Sequence, residues 1–423
     1  MSTHKAGLSS IFRRGGVPGV PPCAATVAVA LACVTTNAQQ RPADYPQWRG
    51  PARNGSASAF EVPPTWPERL VRKWRVTVGE GYATPLLVGD TIYTFTRRNN
   101  REMATALAAT TGATQWETGY DLPYTPSEPT KAHGAGPKAT PVFADGTLVT
   151  MGITGIVTAF DGTSGRRLWQ TAPPAEVPFY SAAASPVAYG SLVLTHPGNY
   201  EPLTALDRRT GEVRWRAGAG GFFMSPLIAS LGGVTQAVTF AQDGILGVDV
   251  DTGAVLWHFP WKGGGTGGAS PIVVGDLVVV SASGQGMLAL RPARRDTTWN
   301  VEAVWETAEA AMYTTDLAAM DGVVYGLSSR GGGQFVAVDA NTGAVLWKGP
   351  GREATQEALV HQGAHLFILK DDGQLLVTRP SRQGIERIAS YTVADGATWA
   401  QPVLSGRRIL VKDVSTLTLW SLD

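Results

Sequence analysis

The sequence predicts an all-β fold, an eight-bladed β-propeller built from four-stranded antiparallel blades. Three observations predict it: an eleven-residue motif that recurs along the chain, Pro-led strands between the recurrences, and the composition of the 423 residues. The chain is rich in Gly (50), Pro (28) and Trp (13), and only 16% of its residues are charged. Such a composition suits short strands and tight turns, and it argues against a helical bundle or a disordered chain.

The first segment, residues 1–38, is interpreted as an export signal. A basic region that includes Lys5 precedes the apolar run Ala24–Val34, which is too short to span a bilayer comfortably. Cleavage after Ala38 is the favoured interpretation. A competing interpretation treats the run before Cys33 as a lipoprotein signal and places a lipid anchor on that cysteine. Either way, we expect an exported protein, periplasmic or extracellular.

Both cysteines, Cys23 and Cys33, fall inside this segment. The mature chain would therefore hold neither a disulfide nor a Cys-ligated metal. Its charge is close to neutral, which gives no electrostatic argument for nucleic acid as a partner. No later segment is long and apolar enough to cross a membrane, and we expect a monomer.

The rest of the chain divides into an N-terminal extension, residues 39–65, and the propeller, residues 66–423. The strand Arg69–Val76 has no repeat unit before it, and the chain ends at Leu417–Asp423 where a third strand would finish. We expect these two strands to pair and close the ring, because a closed ring leaves no exposed sheet edge. The fallback is seven blades, should the unit at Ile385–Tyr391 be incomplete.

The repeated motif reads Ala-x-Asp-x-x-Thr-Gly-x-x-x-Trp. A short strand, a Thr-Gly turn and a second strand ending at Trp predict an antiparallel hairpin. A Pro-led strand precedes most hairpins, and Pro is tolerated at the first residue of a strand. Four strands per unit is the arrangement of a propeller blade. The copies of the motif are Ala106–Trp116, Ala159–Trp169, Ala205–Trp215, Gly247–Trp257 and Ala337–Trp347, and the prolines are Pro85, Pro141, Pro186, Pro226, Pro271 and Pro402.

The tryptophans give the blade number and are predicted to be structural. They recur at intervals of 42 to 53 residues, and Tyr391 is predicted to take the Trp place in a degenerate unit. A buried indole removes roughly 150–250 Å² from water, and the small residues of the motif leave room for it against the next blade. The predicted docking residues are Trp74, Trp116, Trp169, Trp215, Trp257, Trp305 and Trp347.

The motif resembles the tryptophan-docking repeat of the pyrroloquinoline-quinone-like (quinoprotein) propeller family, and the resemblance extends from about Trp66 onward. The stretches 44–51 and 134–141 are similar to a secreted bacterial branch of that family. One class of the family contains calcium-dependent quinoprotein dehydrogenases with an Asp base and a ring of cysteines. This chain departs from it by its shorter length and by having no cysteine after Cys33. Another class is represented by the propeller lipoprotein of the outer-membrane barrel-assembly machinery, which this chain resembles in size.

Candidate ligand or partner contacts are polar and aromatic residues in loops or just before first strands. His133 and Lys138 lie in a Gly/Pro-rich segment where the repeat interval reaches 53 residues, and His196 lies in a tight turn. A second break in the repeat is the rewritten turn before Trp305. His361 and His365 have helical spacing, but their β context argues against a metal pair. The candidates are His133, Lys138, Tyr82, Tyr180, His196 and Tyr313, with no catalytic or metal-ligating residue assigned.

These observations favour an exported, non-catalytic propeller scaffold that binds a protein partner or a cell-envelope component, with no cofactor. The reason for this interpretation is that the sequence predicts a well-formed ring but shows no evident set of catalytic residues. The alternative, implied by the family resemblance, is a small quinoprotein dehydrogenase that uses pyrroloquinoline quinone and calcium. A third hypothesis is binding or processing of a polysaccharide.

Overall fold

The computed structural model describes residues 44–198, 200–218, 220, 224–262 and 267–423. The predicted export signal, its cleavage site and Cys33 lie outside the described residues. Within them, the chain forms eight four-stranded antiparallel sheets, which confirms the predicted all-β eight-bladed propeller. No helix among these residues is long and apolar enough to cross a membrane. Two short 3₁₀ helices are described, Glu128–His133 and Arg330–Gly332.

Each blade takes four strands that pair in chain order, from the inner strand at the channel to the outer strand at the perimeter. Blades 1 to 4 contain β2 (Leu86–Val88), β3 (Thr91–Arg98), β4 (Arg101–Ala108) and β5 (Thr114–Asp121); β6 (Val142–Ala144), β7 (Thr147–Met151), β8 (Val157–Asp161) and β9 (Arg167–Gln170); β10 (Val187–Tyr189), β11 (Leu192–Thr195), β12 (Leu203–Asp207) and β13 (Val213–Ala217); β14 (Leu227–Leu231), β15 (Val234–Ala241), β16 (Gly244–Asp249) and β17 (Val255–Pro260).

Blades 5 to 8 follow the same order, except that the outer strand of blade 8 comes from the N-terminal side of the chain. They contain β18 (Gly268–Val274), β19 (Leu277–Ala282), β20 (Gly286–Arg295) and β21 (Thr298–Thr307); β22 (Leu317–Met320), β23 (Val323–Ser328), β24 (Gln334–Asp339) and β25 (Val345–Lys348); β26 (Glu357–Gln362), β27 (His365–Lys370), β28 (Gln374–Pro380) and β29 (Ile385–Thr392); β30 (Val403–Ser405), β31 (Arg408–Lys412), β32 (Thr416–Ser421) and β1 (Val71–Thr77).

The ring closes as the sequence predicts, by pairing the two ends of the propeller. Strand β1 pairs antiparallel with β32, with Trp74 opposite Leu419 and Val76 opposite Leu417. This pairing supplies the fourth strand of blade 8 and removes the edge that β32 would otherwise expose.

The repeated tryptophans lie between blades. A Cβ added at Gly165 would lie only 2.4 Å from Cε3 of Trp116, so the indole occupies the space that the glycine leaves. The indole N–H of Trp116 donates to the carbonyl of Gly162 at 3.0 Å. The same bond to the next blade is made by Trp74, Trp169, Trp215, Trp305 and Trp347, which donate to the carbonyls of Ala109, Arg208, Val250, Ala340 and Ser381.

Two positions depart from the expected pattern. Trp257 donates to Oε1 of Gln236 within its own blade at 2.6 Å, because the next blade has a long β20–β21 hairpin in place of a Thr-Gly turn. In blade 7, the β-bulge that places Trp opposite Ala in five other blades places Ala389 opposite Val377. The prediction that Tyr391 takes the Trp place is therefore wrong: Tyr391 lies two residues farther along, and its hydroxyl donates to the carbonyl of Pro67 at 2.7 Å.

Candidate functional site

The two ends of the central channel differ. First strands begin at one end, together with the connections between blades such as residues 122–141 and 308–316. We call this end the loop face. The Thr-Gly turns, for example at Gly112 and Gly165, lie at the other end, which we call the turn face. Candidate residues Tyr82, His133, Lys138 and Tyr180 belong to connections at the loop face.

Residues 44–61, within the predicted N-terminal extension, run across the channel from the turn face. We call them the plug segment. Its backbone pairs with four consecutive blades of the ring, through the inner strands of blades 7, 1 and 2 and the first turn of blade 8. The backbone bonds join Tyr45 to Leu87, Pro46 to Phe143, Ala57 to His361 and Glu61 to Gly406, at 2.6 to 2.8 Å.

Two buried arginines of the plug segment fix it in the channel. Arg53 donates to the carbonyls of Pro186, Ser185 and Pro226 at 2.9 to 3.2 Å, and burial lowers its pKa to about 9. Arg49 donates to the carbonyl of Leu317. Both guanidinium carbons lie over the ring of Trp48, at 5.4 and 5.3 Å from its centre. The indole of Trp48 therefore separates these two cations from the cavity above it and forms part of the cavity floor.

A cavity of about 280 Å³ fills the channel between this floor and the loop face. Its wall includes five of the six candidate contacts predicted from the sequence. They come together because each stands shortly before the first strand of a blade, and first strands line the channel of a propeller. These five residues are Tyr82, His133, Lys138, Tyr180 and Tyr313.

One wall of the cavity is aromatic. Tyr82 stacks on Trp399 with ring centres 4.7 Å apart, and the imidazole of His133 lies 4.0 Å from the same indole. Burial, followed by the charge of Lys138, lowers the pKa of His133 to about 4, so this imidazole is neutral at pH 7. The indole N–H of Trp399 is buried and has no hydrogen-bond partner among the described residues, which leaves it as a donor for a ligand.

Lys138 lies just before blade 2. Its ammonium donates to Oγ of Ser181 at 3.0 Å and to the carbonyl of Tyr180 at 3.5 Å. Within the described part of the chain it makes no ion pair. Burial lowers its pKa to about 8, so it is mostly a cation at pH 7.

A chain of bonds between neighbouring blades surrounds the cavity at mid-depth. In blades 1 to 5, the residue before the first-strand proline carries a hydroxyl, and that hydroxyl accepts the backbone N–H of the equivalent residue in the preceding blade. For instance, Ser185 N–H donates to Oγ of Ser225 at 2.9 Å. The hydroxyl acceptors, in order around blades 1 to 5, are Thr84, Thr140, Ser185, Ser225 and Ser270.

Blades 6 and 7 break this pattern with two carboxyl groups that sequence reasoning missed. Asp316 takes the hydroxyl position of blade 6, and its Oδ2 accepts a hydrogen bond from Gln401. In blade 7 the register places Ala358 at that position and Glu357 just before it. The signal was present in the sequence, because these two blades lack the Pro-led strand of the other six.

Of the two carboxyl groups, Glu357 has fewer hydrogen bonds to its carboxyl oxygens. It lines the cavity but is only 6% exposed, and neither carboxyl oxygen has a hydrogen-bond partner among the described residues. Burial raises its pKa well above the ordinary 4.5, with a further contribution from Asp316, whereas the nearby backbone of Leu327 and the charge of Arg49 lower it. The pKa of Asp316 is also raised by burial, against the lowering effects of Arg49 and Gln401.

The sixth candidate, His196, does not line the cavity. Its side chain is buried between blades 3 and 4, where Nε2 lies 2.7 Å from Oγ1 of Thr239 and Nδ1 lies 3.1 Å from the carbonyl of Glu201. Burial lowers its pKa to about 4. The sequence places His196 in a tight turn, and a position in a turn does not indicate that the ring points inward.

Large apolar side chains are exposed at the rim of the loop face. Val177, Phe179 and Tyr200 are each 57% exposed. They belong to two neighbouring loops: a Cβ at Gly155 would lie within 3 Å of both Pro174 and Pro197, one from each loop. We call these three residues the apolar rim. Exposed apolar groups that cluster in this way are typical of interaction sites.

The chain matches a family model described as outer membrane protein assembly factor BamB, over residues 67–175, 99–325 and 302–399. It is 25% identical over 240 residues to the outer membrane protein assembly factor BamB of Yersinia pestis, which is 52% of this chain and 60% of that protein. The chain thus spans less than two thirds of this relative.

Two solved structures share the fold. BamB from Moraxella catarrhalis is 17% identical, with a TM-score of 0.60 over 83% of this chain and 97% of that one. A quinohemoprotein alcohol dehydrogenase from Pseudomonas putida HK5 is 12% identical, with a TM-score of 0.66 over 90% of this chain and 80% of that one. At these identities the likeness concerns the fold alone.

The cavity residues do not fit the quinone and calcium of the dehydrogenase hypothesis. Pyrroloquinoline quinone carries several carboxylates, whereas the wall offers one amine, Lys138, with a neutral imidazole and two carboxyl groups. The arginines lie behind Trp48. No group of three or more His, Cys, Asp or Glu side chains in the described ranges is placed to hold a metal ion.

Proposed function

Because the chain belongs to the family described as outer membrane protein assembly factor BamB, we propose that it is an exported, non-catalytic scaffold for outer-membrane protein assembly. It would bind a segment of another envelope protein on its loop face. The observation that carries the proposal is the apolar rim beside the mouth of a cavity that the plug segment closes at its other end. A rigid ring presents this surface without having to order it on binding, which favours affinity.

Site-specific photo-crosslinking tests the surface. A photoreactive phenylalanine analogue is placed at Phe179 or Tyr200, and in the control at Val255, which is 50% exposed on the outer strand β17. We expect one shared crosslinked protein from both rim positions in cells, and its absence from the Val255 control. Equal crosslinking at Val255, or no product from the rim, would refute the proposed surface.

A deletion strain tests the biological role. We expect loss of the gene to lower the level of folded β-barrel proteins in the outer membrane. The wild-type gene and the Val255→Asp variant should restore that level, whereas Tyr200→Asp should not, because a charge at the rim opposes apolar docking. Unchanged barrel levels in the deletion strain would remove outer-membrane assembly from the proposal.

A titration separates the scaffold from the dehydrogenase alternative. The purified mature protein is incubated with pyrroloquinoline quinone and Ca²⁺, and cofactor absorbance and dye reduction with simple alcohols and sugars are followed. We expect a flat titration and no turnover. Saturable micromolar binding with turnover would replace the scaffold by an enzyme.

A further inference from the structure

The ionisable groups of the cavity are separated by sign. Lys138 precedes the first strand of blade 2, whereas Asp316 and Glu357 precede or begin the first strands of blades 6 and 7. Blades 2 and 6 are four apart in a ring of eight, so the ammonium and the carboxyl groups lie on opposite walls. The Lys138 ammonium has no carboxylate within 4 Å and the Glu357 oxygens accept no hydrogen bond in the described part of the chain. The charge of Arg49 acts on both carboxyl groups, but each wall retains hydrogen-bonding capacity for a group of the opposite charge.

The surroundings favour an amino-acid-sized ligand with a cationic end. Aromatic faces from Tyr82, Tyr180, Tyr313, Trp48 and Trp399 line the same cavity. Such faces attract ammonium and guanidinium groups. The volume of about 280 Å³ lies just below the range of pockets for drug-sized molecules, about 300–1,000 Å³.

We infer that the cavity binds a basic amino-acid unit with a free carboxylate: the carboxylate on Lys138, and the side-chain ammonium or guanidinium on Glu357 and Asp316. The inference rests on the proposed function in one respect, because the bound protein would supply this unit as a C-terminal lysine or arginine. The free amino acid has the same chemistry, and the test separates the two sources.

Calorimetry on the mature protein tests the inference with matched ligands. The probes are Nα-acetyl-lysine, a short peptide ending in lysine, the same peptide with a C-terminal amide, and the same peptide ending in norleucine. We expect saturable binding of the lysine peptide. Removal of the carboxylate or of the ammonium should each weaken binding about tenfold or more, as for other hydrogen bonds to charged groups. Nα-acetyl-lysine mimics the C-terminal residue alone; if free lysine, with its unacylated α-amine, binds more tightly than both Nα-acetyl-lysine and the peptide, the free amino acid is the favoured source.

Variants assign each end of the ligand. Glu357→Gln should weaken the lysine peptide about tenfold and leave the norleucine peptide unchanged, whereas Lys138→Gln should weaken the acid and leave the amide unchanged. The control Lys131→Gln, in the same connection but 71% exposed and paired with Glu128, should change neither. A purely structural role for Glu357 or Lys138 would affect all ligands alike, and that result would overturn the inference.

The two proposals fail in distinguishable ways. Normal crosslinking at the apolar rim with no binding of any lysine probe would overturn the cavity inference and leave the scaffold intact. Binding of Nα-acetyl-lysine with no crosslinking at the rim would support the cavity and refute the docking surface.

Discussion

Replacing Glu357 by methionine should make the folded protein more stable. The carboxyl is buried and neither oxygen accepts a hydrogen bond from the described residues. An unsatisfied buried polar group costs about 1–3 kcal/mol, and methionine fills a similar volume with apolar atoms. We therefore expect Glu357→Met to raise the free energy of unfolding by about 2 kcal/mol. With about 2.1 cal/mol/K of unfolding entropy per residue, this corresponds to roughly 2–3 °C in Tm for a chain of this size.

The gain should also depend on pH. The pKa of Glu357 is raised in the folded state, so the folded state holds its proton more tightly than the unfolded chain. The carboxyl then contributes most favourably below its ordinary pKa of 4.5, and that contribution is lost as the pH rises through the raised pKa. The methionine variant does not titrate there, so its advantage over the wild type should grow with pH above about 4.5.

Urea denaturation of both proteins between pH 4 and 8 measures this advantage. The control is Glu302→Met, whose carboxylate is 63% exposed and whose loss should change stability by less than about 0.5 kcal/mol. A decrease in stability for Glu357→Met would show that the carboxylate is a necessary counter-ion of Arg49, and it would refute the reasoning.

Two further predictions concern the blades. Gly165→Ala should destabilise the protein by about 2–3 kcal/mol, because φ is +72° and the new Cβ would lie 2.4 Å from Trp116. The control Gly275→Ala, at φ +64° with nothing within 4 Å of the new Cβ, should cost only about 1–2 kcal/mol. Equal losses of stability in urea denaturation would contradict the docking role of Trp116. Burial lowers the pKa of His196 from 6.5 to about 4, so the neutral imidazole contributes stability above pH 6.5. This contribution, about 3 kcal/mol in total, is lost as the pH falls toward 4. His196→Gln should remove this part of the pH dependence of stability, and an unchanged pH slope in urea denaturation would show that the burial of His196 does not cause it.

The architecture could be predicted because the repeat reports it directly. Each Trp marks an outer strand, so its recurrence gave the number of blades and the unpaired strand at Arg69–Val76 gave the closure. The sequence could not reveal which group the indole N–H of Trp257 binds, since that depends on the absence of a Thr-Gly turn in the next blade. The assignment of Tyr391 failed because spacing cannot locate a β-bulge, and the bulge places Ala389 in the Trp register.

The cavity was only half predictable. The candidates Tyr82, His133 and Lys138 stand before first strands, where the fold brings side chains to the axis. The carboxyl groups Asp316 and Glu357 obey the same rule, but they lie in the two blades without a Pro-led strand, so the sequence pattern marked them only by its interruption. The plug segment has no repeat at all, and nothing in its residues indicates that it crosses the channel.

The pairing of β1 with β32 and the path of the plug segment also constrain how the chain folds. Residues 44–61 and Val71–Thr77 are made early in synthesis, yet their partners include Gly406 and Thr416–Ser421 near the C-terminus. Such distant contacts require a long loop to close before they contribute any stability, and they slow folding. These early residues therefore stay exposed until almost the entire chain has been synthesised. The last step of folding should then both close the ring and complete the floor of its cavity.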